Sequence, residues 1–179
     1  MKSAVDKLNF WISAKRIGPD MPLTHWMLFF KVTMTWLAKK KLARLGKDSE
    51  IRPGSYLIET QNVEIGERVV IRPNTMLMAD EYAKIIIGDD VLIGAGVHMY
   101  VNDHKFDDLT KNIAEQGYFP SKNVMVSNNV WIGANAIILA GVKIGTHSVI
   151  AAGSVVTKSV DPFCVYAGVP AKKIKHLKA

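Results

Sequence analysis

The stretch VSNNVWIGANAIILAGVKIGTHSVIAAGSVV, residues 126–156, decides the fold because an aliphatic residue returns at every sixth position. The same spacing occurs in three earlier groups along the chain. The aliphatic positions are Val126, Ile132, Ile138, Ile144, Ile150 and Val156, preceded by Ile51 and Leu57, by Ile65, Ile71 and Leu77, and by Ile87, Ile93 and Met99. A period of six fits neither the 3.6-residue period of an α-helix nor the alternation of a two-sided strand. Fixed periods of this kind are typical of solenoids built from stacked coils.

Two further residue classes recur in the same register. Small or β-branched residues lie four positions after most of the aliphatic residues: Ser55, Val69, Thr75, Val91, Val97, Val130, Ala136, Val142, Ser148 and Ser154. Residues that tolerate a positive φ lie three positions after them: Gly54, Asn74, Asp90, Gly96, Asn129, Asn135, Gly141, His147 and Gly153. The pattern predicts short flat strands joined by corners, three to a coil, with the coils paired as parallel strands about 4.8 Å apart. We therefore predict an all-β parallel β-helix; the alternative is a β-sandwich of short strands.

The register breaks once within the repeat region. Met99 and Val126 are 27 residues apart, which is not a multiple of six, so the segment 100–125 leaves the coil. This segment contains VNDHKFDD at 101–108 and QGYFP at 116–120. A long excursion from a regular solenoid indicates a functional loop.

The repeat over about residues 50–175, with the motifs NNVWIG at 128–133 and AGVPAKKI at 167–174, resembles the hexapeptide-repeat acyltransferases. It is most similar to the sugar O-acetyltransferases of the galactoside and maltose acetyltransferase type. The resemblance implies a left-handed β-helix and a homotrimer with sites between subunits. We accordingly predict a partly helical N-terminal segment 1–50, a β-helix 51–170 with an extruded active-site loop 100–125, and a basic C-terminal tail 171–179.

The resemblance implies that a histidine near the start of the loop is the catalytic base, and His104 matches that position. A sugar hydroxyl is a weak nucleophile, and imidazole, mostly neutral at pH 7, can take its proton as it attacks a thioester carbonyl. Asp103, Asp107 and Asp108 are candidates to orient the ring. The alternative is that His104 is an exposed loop residue without a role.

The resemblance also implies which residues line the acetyl-coenzyme A site: Ala134, Ala152, Thr157, Lys158, Lys172 and Lys175. Ala134 and Ala152 are 18 residues apart and should stack on one corner, where small side chains leave room for the pantetheine chain. Lysines suit the phosphates as point charges. The alternative for the last lysines is a solvated basic tail. We add Trp131 to this site because its position faces outward, where tryptophan usually contacts a ligand or a partner.

For the acceptor, Asp80 in MADEY (78–82) resembles the acceptor-binding aspartate of the sugar acetyltransferases. A carboxylate can hold two neighbouring hydroxyls and so position a third for attack. Asn102, two residues before His104, is a further substrate-binding candidate. Arg72 stands where the family often has an asparagine, which would suit an anionic acceptor.

The predicted function is therefore transfer of an acetyl group from acetyl-coenzyme A to a sugar hydroxyl in surface-polysaccharide (O-antigen or capsule) assembly. The alternative is N-acetylation of an amino sugar or of a nucleotide-linked amino sugar. A zinc β-helix enzyme of the γ-carbonic anhydrase type would need three convergent histidines, and no third histidine follows His98 and His104 at suitable spacing. We predict no metal. A non-catalytic scaffold is the remaining alternative.

Charge and cysteine usage limit the remaining classes. Residues 1–50 carry a net charge of +6, residues 51–170 carry −3, and the last nine residues add four lysines. A mildly acidic body with basic ends argues against nucleic acid and favours a small polyanion or a membrane surface. The single cysteine, Cys164, excludes an internal disulfide, and we do not expect it to carry an acyl group.

Residues 1–50 do not follow the repeat. Thr24 is predicted to cap a helix from about His25 to Leu45, ended by Gly46. This helix either covers the open end of the β-helix or lies on a membrane surface through residues 20–45. No stretch approaches the roughly 20 apolar residues of a membrane span, and residues 1–20 show no secretory signal. We expect a cytoplasmic protein, with a peripheral position at the inner membrane face as the alternative.

Overall fold

The computed structural model describes residues 3–178, apart from the side chains of Ala4 and Leu8, and its body is a parallel β-helix of five coils. The first sheet contains strands Arg16–Ile17, Tyr56–Ile58, Met76–Met78, His98–Tyr100, Ile137–Ile138 and Val155–Val156. The second contains Arg44–Leu45, Val63–Ile65, Ile85–Ile87, Val124–Val126 and Lys143–Ile144. The third contains Glu50–Ile51, Val70–Ile71, Leu92–Ile93, Trp131–Ile132, Val149–Ile150, Cys164–Gly168 and Ala171–His176.

In every coil the chain visits the second, third and first sheets in that order. Successive coils pair in parallel, for example Met76 with His98 and His98 with Ile137. The predicted β-helix is therefore confirmed and the β-sandwich alternative is wrong. Two strands are antiparallel: Arg16–Ile17 at the lower edge of the first sheet and Ala171–His176 at the upper edge of the third.

The six-residue register predicted from the sequence is confirmed. The aliphatic residues of the repeat and the small residues that follow them are all buried. All nine predicted corner residues have a positive φ, between 55° and 88°. At the corner between the third and first sheets the coils approach closely, because a Cβ on Gly133 would lie 2.4 Å from the backbone nitrogen of Ala152. Ala134 and Ala152 therefore lie on one corner of adjacent coils, as their spacing predicted.

The N-terminal helix predicted from His25 to Leu45 is wrong in its bounds. The structure has helices Ala4–Ser13, Pro22–His25 and Lys31–Lys41, with a 3₁₀ turn Trp26–Phe29 between the last two. Short 3₁₀ turns also occur at Thr60–Asn62 and Ile113–Glu115. Thr24 is buried inside the short helix instead of capping a long one. The last helix stops at Lys41 because Arg44–Leu45 joins the second sheet, which requires an extended backbone.

The helix Lys31–Lys41 packs its inner face on the first coil. Met34, Leu37 and Ala38 belong to the same buried cluster as Ile51 and Leu57. This layer covers the open end of the β-helix, which is one of the two roles expected for the segment. Covering the end also removes an exposed strand edge.

A buried lysine ties the N-terminal elements together. The Nζ atom of Lys41 donates hydrogen bonds to the carbonyls of Trp11 (2.7 Å), Ala14 (2.9 Å) and Arg16 (2.8 Å). Burial, with the nearby Arg16 charge, lowers the pKa of Lys41 to about 8. Lys41 on the last helix therefore holds the C-terminal end of the first helix, and the residues that follow it, through their backbone carbonyls.

At the other end of the molecule, the segment predicted as a basic tail, 171–179, forms a strand over Ala171–His176. It pairs antiparallel with Cys164–Gly168, the last strand of the coil. Lys172, Lys173 and Lys175 therefore stand on an ordered strand. Pairing covers the upper edge of the third sheet, which would otherwise expose unpaired backbone groups.

Candidate active site

The excursion between Tyr100 and Val124 leaves the β-helix at the corner between the first and second sheets and forms a two-stranded arm. Lys105 N–H donates to the Gly117 carbonyl (2.9 Å), and Phe119 N–H donates to the Asp103 carbonyl (2.9 Å). At the root, Lys122 N–H donates to the Val101 carbonyl (2.8 Å). We call residues 101–123 the arm.

His104 lies on the rising strand of the arm, opposite Tyr118 on the returning strand. The two rings pack with centroids 4.3 Å apart and planes inclined by 31°. Within residues 3–178 the side chains of Asp103, Asp107 and Asp108 make no hydrogen bond to the imidazole, and Asp108 bonds instead to Thr110 and Lys111. The ring is therefore positioned by packing on Tyr118 and by the backbone of the arm.

His104 borders an open cavity of about 510 Å³ at the root of the arm. Its lining combines the corner of the coil with the arm: Met78, Ala79, Tyr100, Asn102, Asp103, His104, Tyr118 and Leu139. The imidazole is solvent-exposed. A base in this place can reach a molecule that enters from outside, which meets the first geometric requirement for proton abstraction.

Asp80 anchors the root of the arm to the preceding coil. One carboxylate oxygen, Oδ1, accepts the backbone N–H groups of Tyr82 (2.9 Å) and Ala83 (2.8 Å). The other, Oδ2, accepts the side-chain amide of Asn102 (2.8 Å) and the hydroxyl of Ser121. Burial alone would raise the pKa of the Asp80 carboxyl, but the bonds from Ser121, the two backbone groups and Asn102 hold it below its usual value. Asp80 thus joins both strands of the arm as a charged acceptor.

A second cavity, of about 560 Å³, lies beside the first and shares Asn102 and Tyr118 with it. Its other lining residues combine rings with charged groups: Asp80, Glu81, Tyr82, Lys105, Phe119, Pro120 and Ser121. Apolar ring faces with a few polar groups are typical of small-molecule sites. The two cavities together form the candidate acceptor region, with His104 in the lining of the first.

The two alanines predicted to line the coenzyme site do not lie beside His104 within one chain. Ala134 and Ala152 lie at the corner between the third and first sheets, while the arm leaves at the far edge of the first sheet. Ala134 and Leu139 lie five positions apart across this sheet, a separation of at most about 16 Å at about 3.3 Å per residue. Arg72 lies on the same corner as Ala134, lower in the β-helix. It is exposed.

The remaining coenzyme candidates lie higher on the molecule. Thr157 and Lys158 are exposed at the corner above the arm, and Lys172 and Lys175 are exposed on the last strand. Trp131 is 56% exposed on the third sheet. It lines a separate cavity of about 480 Å³, together with the stacked rings of His147 and Phe163. In one chain this cavity does not include His104.

Three of the other four histidines have structural partners. His98 Nδ1 lies 2.9 Å from the Tyr100 hydroxyl, and His147 stacks on Phe163 at 5.2 Å. His25 Nε2 accepts the Gly54 N–H at 3.1 Å. In the described part of the chain, no group of three or more histidine, cysteine or acidic side chains is placed to hold a metal ion.

Sequence reasoning missed Tyr118 and Ser121 as functional residues. Tyr118 packs on the imidazole, and Ser121 completes the anchor at Asp80. The aromatic pair at 118–119 inside the excursion was the available signal for the first. No feature of the sequence pointed to Ser121, because the two strands of the arm pair outside the six-residue repeat.

Comparisons with known proteins agree with this fold. The protein-family model described as "Bacterial transferase hexapeptide (six repeats)" matches residues 123–158, and the family model "Hexapeptide repeat of succinyl-transferase" matches residues 84–99. Galactoside O-acetyltransferase of Escherichia coli (strain K12) is 36% identical over 141 residues, which cover 79% of this chain and 67% of that protein. The chain thus spans about two thirds of this curated relative.

Two solved structures are similar over most of their length. A hexapeptide-repeat acetyltransferase from Vibrio cholerae O1 biovar eltor, complexed with acetyl-coenzyme A, has a TM-score of 0.81 and 27% identity, covering 100% of this chain and 93% of that one. A galactoside acetyltransferase in complex with coenzyme A has a TM-score of 0.77 and 31% identity, covering 88% and 78%.

Proposed function

This chain belongs to the hexapeptide-repeat acetyltransferases, whose solved relatives bind acetyl-coenzyme A or coenzyme A, and we propose that its acceptor is a sugar hydroxyl. The observation that supports this acceptor is the position of His104. The imidazole lines the 510 Å³ cavity and packs on Tyr118. Tyr118 also lines the neighbouring cavity, which has rings and polar groups. This arrangement suits a polar ring molecule that presents one hydroxyl to the base.

In the proposed reaction His104 removes the proton of the acceptor hydroxyl as its oxygen attacks the thioester carbonyl. The new C–O bond gives a tetrahedral intermediate, and the C–S bond then breaks. The proton held by His104 passes to the departing sulfur, which leaves as the free thiol of coenzyme A. General-base catalysis of this kind contributes about 10²–10⁴-fold in rate.

Within the acceptor site we propose that Asn102 makes the direct contact and that Asp80 positions it. Asp80 already accepts four hydrogen bonds, which uses both lone pairs of each oxygen. The bond from Asn102 Nδ2 to Asp80 turns the Asn102 side-chain oxygen away, and within residues 3–178 this oxygen has no partner. It can therefore accept a hydrogen bond from a sugar hydroxyl.

We propose that the coenzyme site is completed by a second copy of the chain, in a homotrimer. Apart from His98, which lies between Met76 and Ile137, the outer side of the first sheet is largely apolar and is not covered by other residues of 3–178. Its half-buried side chains are Met76, Met78, Tyr100, Ile137, Leu139 and Val155. An apolar sheet face of this kind is typical of a subunit interface. Packing it on a neighbour would bring the neighbour's Ala134 and Ala152 corner towards the arm.

In that assembly Trp131, Thr157, Lys158, Lys172 and Lys175 remain the proposed contacts of the nucleotide part, with the lysines on its phosphates. Arg72, on the same corner line as the alanines, would approach the acceptor from the neighbour and favour an anionic sugar.

The subunit interface is tested by Met76→Glu, with Met125→Glu on the second sheet as its control. Both methionines face outward and are half-buried. We expect only Met76→Glu to reduce the mass of the assembly in light scattering. A trimer that survives Met76→Glu would contradict this interface.

We further propose that the reaction serves surface-polysaccharide assembly from the cytoplasmic side of the membrane. The open cavities admit a sugar that is attached to a larger carrier. The single cysteine is buried as a free thiol, as is usual in a reducing compartment. Among the described residues no helix has the length and apolar character that crossing a bilayer requires.

The function is tested by a screen of sugars, amino sugars and nucleotide-linked sugars for release of free coenzyme A thiol. With the best acceptor we expect His104→Ala to lower kcat by about 10²-fold or more. His176→Ala, on the last strand, is the control and should remain active. Equal turnover in both variants would reject His104 as the base, and product formed only with amino sugars would establish N-acetylation instead.

A further inference from the structure

The N-terminal layer carries an exposed aromatic surface that acyl transfer does not use. Its side chains are 47–82% exposed and lie on the 3₁₀ turn and the last helix of this layer: Trp26, Phe29, Phe30, Val32 and Trp36. We call these five residues the aromatic patch. Single exposed apolar residues are ordinary, but a run of large rings within eleven positions marks an interaction surface.

The patch is held in place by the packing beneath it. Met34, Leu37 and Ala38 occupy the inner face of the helix Lys31–Lys41 and are buried, which turns Val32 and Trp36 to the opposite side. Near the start of the helix, the Thr33 hydroxyl donates to the Met27 carbonyl at 2.6 Å and fixes the preceding turn. The rings therefore need no folding step to bind a partner, and little conformational entropy is lost.

Trp26 and Phe30 form one part of the patch, with ring centroids 5.9 Å apart in an edge-to-face arrangement. Trp36 continues the patch along the helix, and Lys40 stands over its ring with Nζ 5.1 Å from the centroid. Tryptophan and phenylalanine beside lysine are the residues that bind at the boundary between lipid headgroups and acyl chains.

The segment that carries the patch has charges of one sign, whereas the neighbouring acidic residues Asp48 and Glu50 are paired with Lys31 and Arg52. Residues 21–45 contain four lysines and one arginine and no aspartate or glutamate. Lys41 is turned inward and Lys31 lies 3.9 Å from Asp48, but Lys39 and Lys40 are exposed at the end of the helix. This surface is complementary to an anionic layer. A second copy of the same surface would instead meet it with like charges.

From the aromatic rings, their rigid support and the one-signed charge, we propose that this face docks on a membrane surface containing anionic lipid. The rings enter the headgroup region, and Lys39 and Lys40 contact the lipid phosphates. The patch lies at the covered end of the β-helix, so the coils stand away from the membrane. The strand His98–Tyr100 that leads into the arm is two coils above Tyr56–Ile58, a rise of about 10 Å.

The test uses the purified full chain in sedimentation with vesicles of phosphatidylcholine, with and without phosphatidylglycerol. We expect binding to the anionic vesicles, and weaker binding at high salt. Lys39→Gln and Lys40→Gln should each lower the partition coefficient about fivefold. Lys143→Gln, an exposed lysine on the second sheet, should leave it unchanged.

The apolar contribution is tested with the double variant Phe29→Ser and Val32→Ser. We expect its partition coefficient to fall more than tenfold. Its control is Val169→Ser with Ile174→Ser, two equally exposed apolar residues at the opposite end of the molecule. Circular dichroism and thermal unfolding establish that each variant is folded.

Two results overturn the proposal. The first is a failure of vesicle binding to depend on the patch: either the wild-type protein stays in the supernatant with anionic vesicles, or the patch variants bind these vesicles as well as the wild type does. The other is a patch variant whose assembly mass falls in light scattering while vesicle binding persists, which would assign the rings to a second copy of the chain.

Discussion

Substituting Asp80 by asparagine tests whether this residue anchors the arm or binds the acceptor. The oxygen Oδ2, which accepts bonds from Asn102 and Ser121, becomes an amide nitrogen that can only donate. The backbone bonds from Tyr82 and Ala83 can persist on the remaining oxygen. The change therefore removes the carboxylate charge and the acceptor that holds both strands of the arm, so any bond that re-forms to Ser121 or Asn102 runs in the reverse direction from a neutral amide, and the turn that carries residue 80 is kept.

The size of the effect follows from the two hydrogen bonds that the substitution takes away from the carboxylate. A hydrogen bond to a charged group contributes about 1.5–3 kcal/mol, so removing two of them costs about 3–6 kcal/mol. Because Asp80 is half-buried, water can replace part of the lost hydrogen bonding. We therefore expect a cost at the lower end of this range, about 3 kcal/mol. Because a tenfold step in an equilibrium constant corresponds to about 1.4 kcal/mol, local opening of the arm should become about a hundredfold more frequent.

The assay is amide hydrogen exchange at the arm, read at the bonded N–H groups of Phe119 and Lys122. We expect both to exchange about a hundredfold faster in Asp80→Asn, while Ile137, whose N–H bonds to the next coil, is unchanged. Asp107→Asn is the matched control, an exposed carboxyl on the same arm with no side-chain partner within residues 3–178.

Kinetics separate the two roles of Asp80. A loosened arm displaces His104, and since a displacement of about 1 Å can cost 10²-fold, kcat should fall while the KM for acetyl-coenzyme A stays the same. An anchor that also positions Asn102 would raise the acceptor KM together with the exchange rate at the arm, whereas direct acceptor binding by Asp80 alone would raise the acceptor KM and leave exchange at the arm unaltered. Unchanged exchange in Asp80→Asn would refute the anchor.

Three further substitutions test the packing. Burial lowers the pKa of His25, whose neutral ring accepts the Gly54 N–H, so the unfolded chain binds this proton more readily. The free energy of unfolding should therefore be fully retained above about pH 6.5 and fall as the pH drops through the folded-state pKa of His25. Urea titrations should show a smaller fall in His25→Gln than in the wild type. An equal fall in the two proteins would contradict this role of His25. Lys41→Met leaves three buried carbonyls without their donor and should cost about 3 kcal/mol or more in calorimetry, against less than about 0.5 for Lys40→Met. Gly133→Ala places a Cβ 2.4 Å from backbone of the next coil and should cost about 1–3 kcal/mol in thermal unfolding, which an unchanged Tm would contradict.

The coil register could be predicted from the sequence because it depends on local rules repeated many times. Ile132 points inward, Asn135 takes the positive φ of the corner and Ala136 fits beside it, and the same three roles return in the next six residues. Each coil needs only the preceding coil as a template. The inward or outward direction of a residue therefore follows from its position in the hexad.

The sequence also indicated where the solenoid is interrupted, and its resemblance to the sugar acetyltransferases implied His104 as the proposed base. It could not indicate the partners of that base, because Tyr118 and Ser121 reach His104 and Asp80 through a pairing of strands with no periodic signal. Asp80 was recognised as important, but the number of hydrogen bonds it accepts depends on where the arm returns. Only the tertiary structure decides this.

The N-terminal layer shows the same division between local pattern and packing. Lys39, Lys40 and Lys41 are equivalent in the sequence, yet the third is buried on three carbonyls and the first two face solvent. Their difference arises from the rotation of the helix on the first coil, which is set by the buried side chains Met34 and Leu37. A repeating strand carries its orientation in its own sequence, whereas a single helix takes its orientation from the surface on which it packs.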